Sequence, residues 1–308
     1  MTPRDVAALV TAQLLGLARS SGEDPQRLLN RYGRERVLYR LSKSPHRDQF
    51  ILKGGMLFSM WAEKPFRGTK DADFLSYGPN SVDAVAAVFR SLFDSHADPD
   101  DGLRLDPGSF QAAEIREATK YRGASVHMGL LLDKARPKVL FDVGFGDAVV
   151  PAPQEVELPV LLDFPAPRLR AYPKEAVIAE KLEAMTSRGS ATSRMNDFYD
   201  LWILQREFPF DGVTLARAIQ ATFERRRTPV DPGSCVAFQA SYFAAAVPQN
   251  LWSLYVKRAD LDQIPPPFAS VGEAITAFLR PVAESVAAGL PFDRVWPSGG
   301  PWREKEDG

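Results

Sequence analysis

At 308 residues the chain is long enough to bury one large core or two modest ones, and two domains are expected. Its composition, 45% hydrophobic and 25% charged, is that of an ordinary globular protein, and its net charge of −1 confines any nucleic-acid contact to local patches. A single cysteine excludes an intramolecular disulfide, and no Cys/His cluster has the spacing of a zinc site.

The first part of the chain predicts helices followed by a strand that ends at a glycine pair. Apolar residues recur at helical spacing between about residues 4 and 42, and Pro25 opens the second helix of this stretch. The apolar segment 50–52 predicts a short strand, which Gly54-Gly55 follows at once. A further helix is predicted from the glycines through Trp61.

Strands and one more helix are predicted next. Residues 71–77, DADFLSY, predict a strand, and residues 82–93 predict an amphipathic helix. A loop rich in turn residues then precedes three strand-like segments whose spacing suits an antiparallel meander, at 113–118, 121–132 and 138–146.

The second half of the chain predicts a helical domain. Prolines are dense between Val150 and Pro173, which indicates a crossing between domains, and the pattern beyond it is nearly all helical. The predicted fold class is α+β, with a mixed β-sheet domain at 1–160 and a helical domain at 161–308. The tail, 297–308, is predicted to be disordered. Without a signal-peptide pattern or an apolar run of membrane length, we expect a cytoplasmic protein that makes no membrane contact.

The glycine pair is a candidate phosphate-binding element. A strand that ends in Gly54-Gly55 at the start of a helix lets backbone N–H groups approach a phosphate, where the helix dipole favours negative charge. The alternative is a tight turn that binds nothing, because glycine is also the residue that such turns require.

Two acids two residues apart form a candidate metal site. In a strand, alternate side chains project from the same face, so Asp71 and Asp73 can aim at one point. Two converging carboxylates repel each other unless a cation neutralises them, and Mg²⁺ uses such oxygens together with phosphate oxygens. The alternative is a solvent-facing edge strand on which Lys70 screens the two charges.

Asp142 is a candidate third metal ligand. It lies in the apolar segment VLFDVGF, where alternation puts Leu140, Asp142 and Gly144 on one face of a core strand. An acid in this setting either ligates a metal or is a buried carboxyl with a raised pKa.

The helix 174–188 holds a lysine within its apolar stripe. At 100° per residue, Lys181 falls among the apolar positions, whereas Glu180 and Glu183 fall on other faces. Such a lysine either extends to the surface along its alkyl stem or reaches a buried anion, such as a triphosphate. In the next helix Asp197 and Asp200 lie one turn apart, where acids also favour the helix dipole.

These motifs, taken in order, resemble the AbiEii-type nucleotidyltransferase toxins of bacterial type IV toxin–antitoxin systems. The resemblance covers about Phe50 to Leu204 through GG…TKDADF, FDVGFGD and YPKEAVIAEKLEAM…RMNDFYDL. It implies a nucleotidyltransferase-type fold in which Asp71 and Asp73 bind metal and Lys181 and Asp197 complete the site.

The resemblance also implies roles at two further positions. It places a hydroxyl residue, here Thr69, two positions before the first acid, and in some relatives the antitoxin phosphorylates this hydroxyl. Relatives often have a lysine before the DFYDL element where this chain has Asn196, so the resemblance implies no phosphate contact there.

The function implied by the resemblance is that of a toxin. Family members transfer nucleotides from NTPs, and some modify the 3′ end of tRNA, which blocks aminoacylation. We therefore expect a Mg²⁺-dependent enzyme whose partners are an NTP, a tRNA acceptor and a cognate antitoxin. Nucleotidylation of a protein or small molecule, or a non-catalytic nucleotide-binding module, remains an alternative.

The helical half offers candidates for an acceptor surface. Basic and aromatic side chains there could grip phosphates and stack on bases, although solvated helix ends and ordinary packing explain each one as well. The candidates are Arg225, Arg226, Arg227, Trp252, Tyr255, Lys257 and Arg258.

Overall fold

The chain forms two compact units. The structure is a computed structural model that describes residues 3–62, 66–94, 99–116 and 122–305. Unit 1 spans 1–65, 69–146 and 154–171, and unit 2 spans 66–68, 147–153 and 172–308. The domain ranges predicted from the sequence, 1–160 and 161–308, differ from these units at 66–68, 147–153 and 161–171.

Unit 1 contains the N-terminal helices and a large sheet. The two long helices, the strand ending at the glycine pair and the antiparallel meander all occur where the sequence predicts them. Its elements are α1 (Pro3–Ser21), α2 (Pro25–Lys43), β1 (Phe50–Lys53), α3 (Phe58–Trp61), β2 (Ala72–Ser76), α4 (Val82–Ser91), β3 (Arg104–Leu105), β4 (Gln111–Arg116), β5 (Arg122–Leu131), β6 (Lys138–Phe145), β7 (Gln154–Glu157) and β8 (Arg168–Ala171).

The sheet of unit 1 is mixed, which confirms the predicted fold class. Among the described residues it has eight strands in the order β3-β5-β6-β2-β1-β8-β7, with β4 paired to β5. Strands β4, β5 and β6 pair antiparallel, whereas β2 pairs with β6 and β1 with β8 in parallel. Positions 117, 118 and 121 of the predicted meander lie outside the described residues.

One face of this sheet is an aromatic core. Phe50 on β1, Phe74 on β2 and Phe141 on β6 are fully buried, and Phe89 of α4 packs against both Phe50 and Phe141. Helix α4 begins at a capped end, where the Ser81 side chain accepts a hydrogen bond from the Ala84 backbone. Because alternate residues of a strand point to opposite faces, the core fixes which residues project from the other face.

Helix α2 buries charge as well as apolar surface. Arg40 forms two hydrogen bonds to Asp101, at 2.6 and 2.8 Å, and Arg36 donates a third at 3.1 Å. Asp101 is fully buried, and two guanidinium groups compensate its charge.

Unit 2 is mainly helical, as the sequence predicts. Three of its helices pack against the last helix, α10 (Phe268–Ala287), whose buried residues include Phe268, Ile275 and Phe278. The elements of unit 2 are α5 (Lys174–Arg188), α6 (Met195–Glu207), β9 (Phe210–Asp211), α7 (Gly212–Arg226), α8 (Ala240–Ala244), α9 (Ala246–Arg258), α10 (Phe268–Ala287), β10 (Arg294–Trp296) and β11 (Arg303–Glu304).

One prediction about irregular structure is wrong. The Pro-rich stretch, predicted as a crossing between domains, does pass between the units, and it also contains β7 and β8, of which β8 pairs with β1 of the main sheet. The tail predicted to be disordered is ordered over 297–305, where β11 pairs with β10. Trp302 anchors it, because its indole N–H donates to Phe278 O at 2.7 Å and its ring stacks on that of Phe278. Residues 306–308 lie outside the described part of the chain.

Candidate active site

Charged residues form a row across the polar face of the unit 1 sheet. Lys53 pairs with Asp73 between β1 and β2, and Asp73 pairs with Asp142 between β2 and β6. Ser125 on β5 extends the row beyond Asp142. Residues at the same register project from the same face, about 4.8 Å apart along the row. The two predicted metal-site acids Asp73 and Asp142 are thus neighbours.

Asp71 lies immediately before β2 and is held by Thr69. The Thr69 hydroxyl donates a hydrogen bond to Asp71 Oδ1 at 2.8 Å. The resemblance marks Thr69 as a hydroxyl position, and the structure shows that this hydroxyl orients the first of the paired acids. Asp71 and Asp73 are both partly exposed, so neither carboxylate is sealed in the core.

Gly54 packs directly against Asp73. Its φ of +73° lies in the left-handed region, which side-chain-bearing residues rarely adopt. A Cβ added at Gly54 would overlap the Asp73 carboxylate. The helix predicted after the glycines is a 3₁₀ turn over Gly54–Leu57 and one α turn in α3, so little helix dipole is available to a phosphate. The observed role of Gly54 is close approach to an acid, and phosphate binding by Gly54 and Gly55 stays a prediction.

A buried arginine lies against the same loop. Arg34 of α2 is 7% exposed, and its Nη2 approaches Thr69 O at 3.4 Å. Burial lowers the pKa of the Arg34 guanidinium, while Glu35 and Asp71 oppose that shift. Arg34 therefore places positive charge next to the loop that carries Thr69 and Asp71.

The donor set of unit 1 fits magnesium bound together with a substrate. Carboxylate oxygens are the ligands Mg²⁺ prefers, and it commonly takes only one or two of them along with phosphate oxygens and water. Among the described residues no group of three or more His, Cys, Asp or Glu side chains is close enough to hold a metal ion. Asp71 and Asp73 as metal ligands, with Asp142 as a third, stay a prediction.

The predicted residues of unit 2, Lys181 and Asp197, form a direct ion pair. The Lys181 ammonium donates to Asp197 at 2.7 Å and lies 2.7 Å from Asp200 Oδ2. Arg194 donates to Asp197 at 2.6 Å, and Arg67 donates to both oxygens of Asp200 at 2.6 and 2.8 Å. We call these five side chains the Lys181 cluster. Three cations face two anions, so the cluster carries one net positive charge.

Burial and charge act in opposite directions in the Lys181 cluster. Both aspartates are fully buried and Lys181 is 8% exposed, which confirms that the lysine lies within the apolar stripe of α5. Burial alone would raise the pKa of Asp197, but Lys181 and Arg194 outweigh it and lower that pKa. Burial likewise would lower the pKa of Arg67, and Asp200 reverses the shift.

A second cluster removes Arg226 from the candidate acceptor surface. Arg226 donates to both oxygens of Asp147, at 3.0 and 2.9 Å, and to Glu183 at 2.7 Å. Glu183, which was expected on another face of α5 than Lys181, is buried there and also accepts a hydrogen bond from Thr228 at 2.6 Å. Trp252 is buried too, stacked on Phe268. The exposed candidates that remain are Arg225, Arg227, Lys257 and Arg258.

Sequence reasoning missed several residues of these arrangements. Lys53 directly precedes the glycine pair, and this position is the one sign in the sequence that Lys53 belongs to the site. Arg67 and Arg34 carry no local signal, because their partners lie far away in the chain. At Asp200 the sequence shows only an acid in the first turn of a helix, and the helix dipole is enough to explain an acid there.

Comparisons with known proteins identify the family. Two crystal structures from Helicobacter pylori match over 83% of this chain: JHP933, with 16% identity, 89% coverage of that chain and a TM-score of 0.42, and a candidate nucleotidyltransferase, with 15%, 92% and 0.43. No curated protein matches. Among the described residues no helix is long and apolar enough to cross a membrane. The profile for the nucleotidyl transferase AbiEii toxin of type IV toxin–antitoxin systems matches residues 36–274, and the chain therefore belongs to the AbiEii nucleotidyltransferase toxin family.

Proposed function

We propose that this protein transfers a nucleoside monophosphate from an NTP to a hydroxyl at the 3′ end of tRNA. The acceptor oxygen forms a bond to the α-phosphorus, the bond from that phosphorus to the bridging oxygen breaks, and pyrophosphate leaves. Magnesium is the proposed cofactor; Asp71 and Asp73 would bind it together with phosphate oxygens of the NTP, and Asp142 is the candidate third ligand beside them. A cognate antitoxin is the partner that membership of a toxin–antitoxin family implies.

The observation that carries the proposal is the arrangement of acids on the unit 1 sheet. Asp73 and Asp142 occupy one register position on adjacent strands, and Thr69 orients Asp71 just before the strand. Carboxylates gathered on one sheet face repel one another, and a divalent cation, which can also bind phosphate oxygens, relieves that repulsion. When bound, magnesium would stabilise the charge that develops on the transferring phosphate.

The remaining site residues have separate roles. Lys181 has three N–H donors; one donates a hydrogen bond to Asp197, and Asp200 is a second anionic partner at 2.7 Å, which leaves an N–H for a phosphate oxygen. The net positive charge of its cluster favours an anionic ligand. Gly54 keeps the backbone next to Asp73 free of any side chain. Asp197 holds Lys181 in place.

The acceptor is proposed to be tRNA, in keeping with a toxin of this family. The net charge of −1 requires a local basic surface for any RNA. Exposed cations at the end of α7, Arg225 and Arg227, and at the end of α9, Lys257 and Arg258, supply candidates. Each would act through phosphate contacts, which position an RNA without reading its sequence.

A labelling experiment tests the proposal. The full-length protein is incubated with each of the four NTPs, labelled at the α-phosphate, with Mg²⁺ and total tRNA, and the products are separated by size. We expect label in tRNA, lost when the 3′ end is blocked, lost with EDTA and lost in Asp73→Asn. Glu114→Gln, a matched loss of an exposed acid on β4 of the same sheet, should retain activity.

Other outcomes of this experiment decide between the alternatives. Label in protein or in a small molecule would contradict the tRNA acceptor while preserving nucleotidyl transfer. NTP binding without any labelled product would contradict transfer itself.

A further inference from the structure

Asp200 has contacts that a helix-dipole role does not explain. It is fully buried on α6, and Arg67 contacts both of its oxygens. Lys181 contacts Oδ2 as well, at 2.7 Å. An acid that serves only the dipole of its own helix needs neither burial nor two cationic partners.

The backbone around Arg67 is fastened to the rest of unit 2 independently of its side chain. Gly68 N donates to Asp260 O at 3.0 Å, and Asp262 N donates to Phe66 O at 3.0 Å. The Tyr199 hydroxyl also donates to Phe66 O, at 2.9 Å. Because the backbone is already held, the bidentate contact serves to orient the guanidinium, and with it the carboxylate of Asp200.

A bidentate arginine holds a carboxylate in one plane, so the second lone pair of Oδ2 keeps a defined direction. The Lys181 ammonium lies 2.7 Å from that oxygen and donates a hydrogen bond to Asp197 Oδ1 at 2.7 Å. Two buried carboxylates therefore hold the ammonium, which limits the directions in which its other N–H groups can point.

We propose that Asp200 is a positioning residue of the nucleotidyl-transfer site, which holds the Lys181 ammonium so that its remaining donor meets a phosphate oxygen of the NTP. This inference rests on the proposed function. Asp200 does not touch the nucleotide and acts through Lys181. Arg67 supports it by holding Asp200.

A double-mutant cycle tests the inference in the full-length protein. Asp200→Asn should lower kcat about ten-fold, and Lys181→Met about a hundred-fold, with small changes in KM for the NTP. In the Lys181→Met background, Asp200→Asn should change kcat by less than about two-fold, because Asp200 has nothing left to position. A purely structural role would reduce activity by the same factor in both backgrounds, and that result would overturn the proposal.

Two further variants guard the experiment against misfolding. Glu183→Gln removes another buried acid that pairs with an arginine in unit 2, and its effect should be small and independent of Lys181. The double variant Arg67→Gln/Asp200→Asn returns the Lys181 cluster to one net positive charge. It should fold even if Asp200→Asn alone is too unstable to measure. It should show the same kcat loss as Asp200→Asn, and wild-type kcat would refute the positioning role.

A readout without nucleotide separates failure of this inference from failure of the proposed function. The rate at which an amine-selective reagent labels Lys181 is followed by peptide mass spectrometry in the folded protein. Asp200→Asn should raise that rate several-fold, and Glu183→Gln should leave it unchanged. Equal labelling in wild type and Asp200→Asn would overturn the inference even if transfer is observed, and faster labelling would uphold it even if no acceptor is found.

Discussion

The Lys181 cluster predicts that Asp200→Asn lowers the stability of the protein more than Lys181→Met does, whereas Lys181→Met lowers its activity more. In Lys181→Met the alkyl stem is kept and the charge is lost. Two arginine–aspartate pairs remain, Arg194 with Asp197 and Arg67 with Asp200, and the cluster becomes neutral. In Asp200→Asn the cluster instead rises from one to two net positive charges in a buried place.

The magnitudes follow from this difference in charge. Lys181→Met loses one charge-assisted hydrogen bond, worth about 1.5–3 kcal/mol, and one ion pair, but removes a buried ammonium whose desolvation offsets part of that loss, so about 1–3 kcal/mol of destabilisation is expected. Asp200→Asn removes the anionic partner of a buried ion pair, which costs about 3–5 kcal/mol. Since a domain is stable by only about 5–15 kcal/mol, the difference is readily measured.

The assay is urea unfolding of both variants at neutral pH, with transfer rates measured below the transition. Asp200→Asn should unfold at the lower urea concentration, whereas Lys181→Met should be the slower enzyme. If Lys181→Met is destabilised as much as Asp200→Asn, the charge accounting in the cluster is wrong. Glu183→Gln supplies the baseline for losing a buried acid elsewhere in unit 2.

The difference in stability between wild type and Lys181→Met should depend on pH. Burial raises the pKa of Asp197, and Lys181 and Arg194 together lower it below its ordinary value of 3.8. A lowered pKa contributes stability above the ordinary value, and that contribution is lost as the pH falls through the folded-state value. Without Lys181 the pKa of Asp197 is lowered less. The free energies of unfolding of wild type and Lys181→Met should therefore differ most near neutral pH and converge below about pH 4. A gap that widens on acidification would contradict the assignment.

Two further predictions concern unit 1. Gly54→Ala forces a left-handed backbone onto alanine, at about 1–3 kcal/mol, and also displaces the Asp73 carboxylate, so it should abolish transfer. Gly22 has a similar φ of +74° with open space around it. Gly22→Ala should therefore lower the melting temperature through backbone strain alone and keep transfer. Equal transfer by Gly54→Ala and Gly22→Ala would refute the contact between Gly54 and Asp73. Thr69→Val removes the hydrogen bond to Asp71 and should lower kcat about ten-fold, whereas Thr69→Ser keeps it. Identical kinetics of the valine and serine variants would show that the hydroxyl does not orient Asp71.

The sheet and its polar face were predictable because their signals are periodic. Alternation placed Asp142 opposite Phe141 and Val143, and the structure confirms that separation, with both apolar residues buried. The pairing of Asp142 with Asp73 was not predictable, because their strands are joined by a long crossing and the sequence does not give the register. The structure supplies that register.

The buried charges escaped prediction for a different reason. A local pattern reports the partners of a residue only when they lie within a few turns of the chain. Arg40 and Asp101 are separated by 61 positions, and Arg226 and Asp147 by 79. Arg226 stands in a run of three arginines that indicates a solvated surface, yet it is the middle one that the structure buries. Composition cannot distinguish it from its neighbours.

The ordered tail shows a related limit. Residues 297–302, PSGGPW, combine turn formers with one aromatic, and such a stretch predicts disorder. Trp302 instead stacks on Phe278, which is fully buried on α10. Contacts with distant parts of the chain, among them the Trp302 hydrogen bond to Phe278 O and the pairing of β11 with β10, order the tail, and no periodic signal in the sequence predicts them.

The pairing of Arg67 with Asp200 also has a consequence during synthesis. The two residues are 133 positions apart, and the buried carboxylate cannot receive its arginine until the ribosome has passed Asp200. At about 5–20 residues per second, Arg67 waits roughly 7–27 s for its partner. For most of that interval, until synthesis reaches residue 172, the only part of unit 2 besides 66–68 that has been made is 147–153. A nascent chain that stops before α6 therefore lacks both Asp197 and Asp200, and its Lys181 has no anion to hold it.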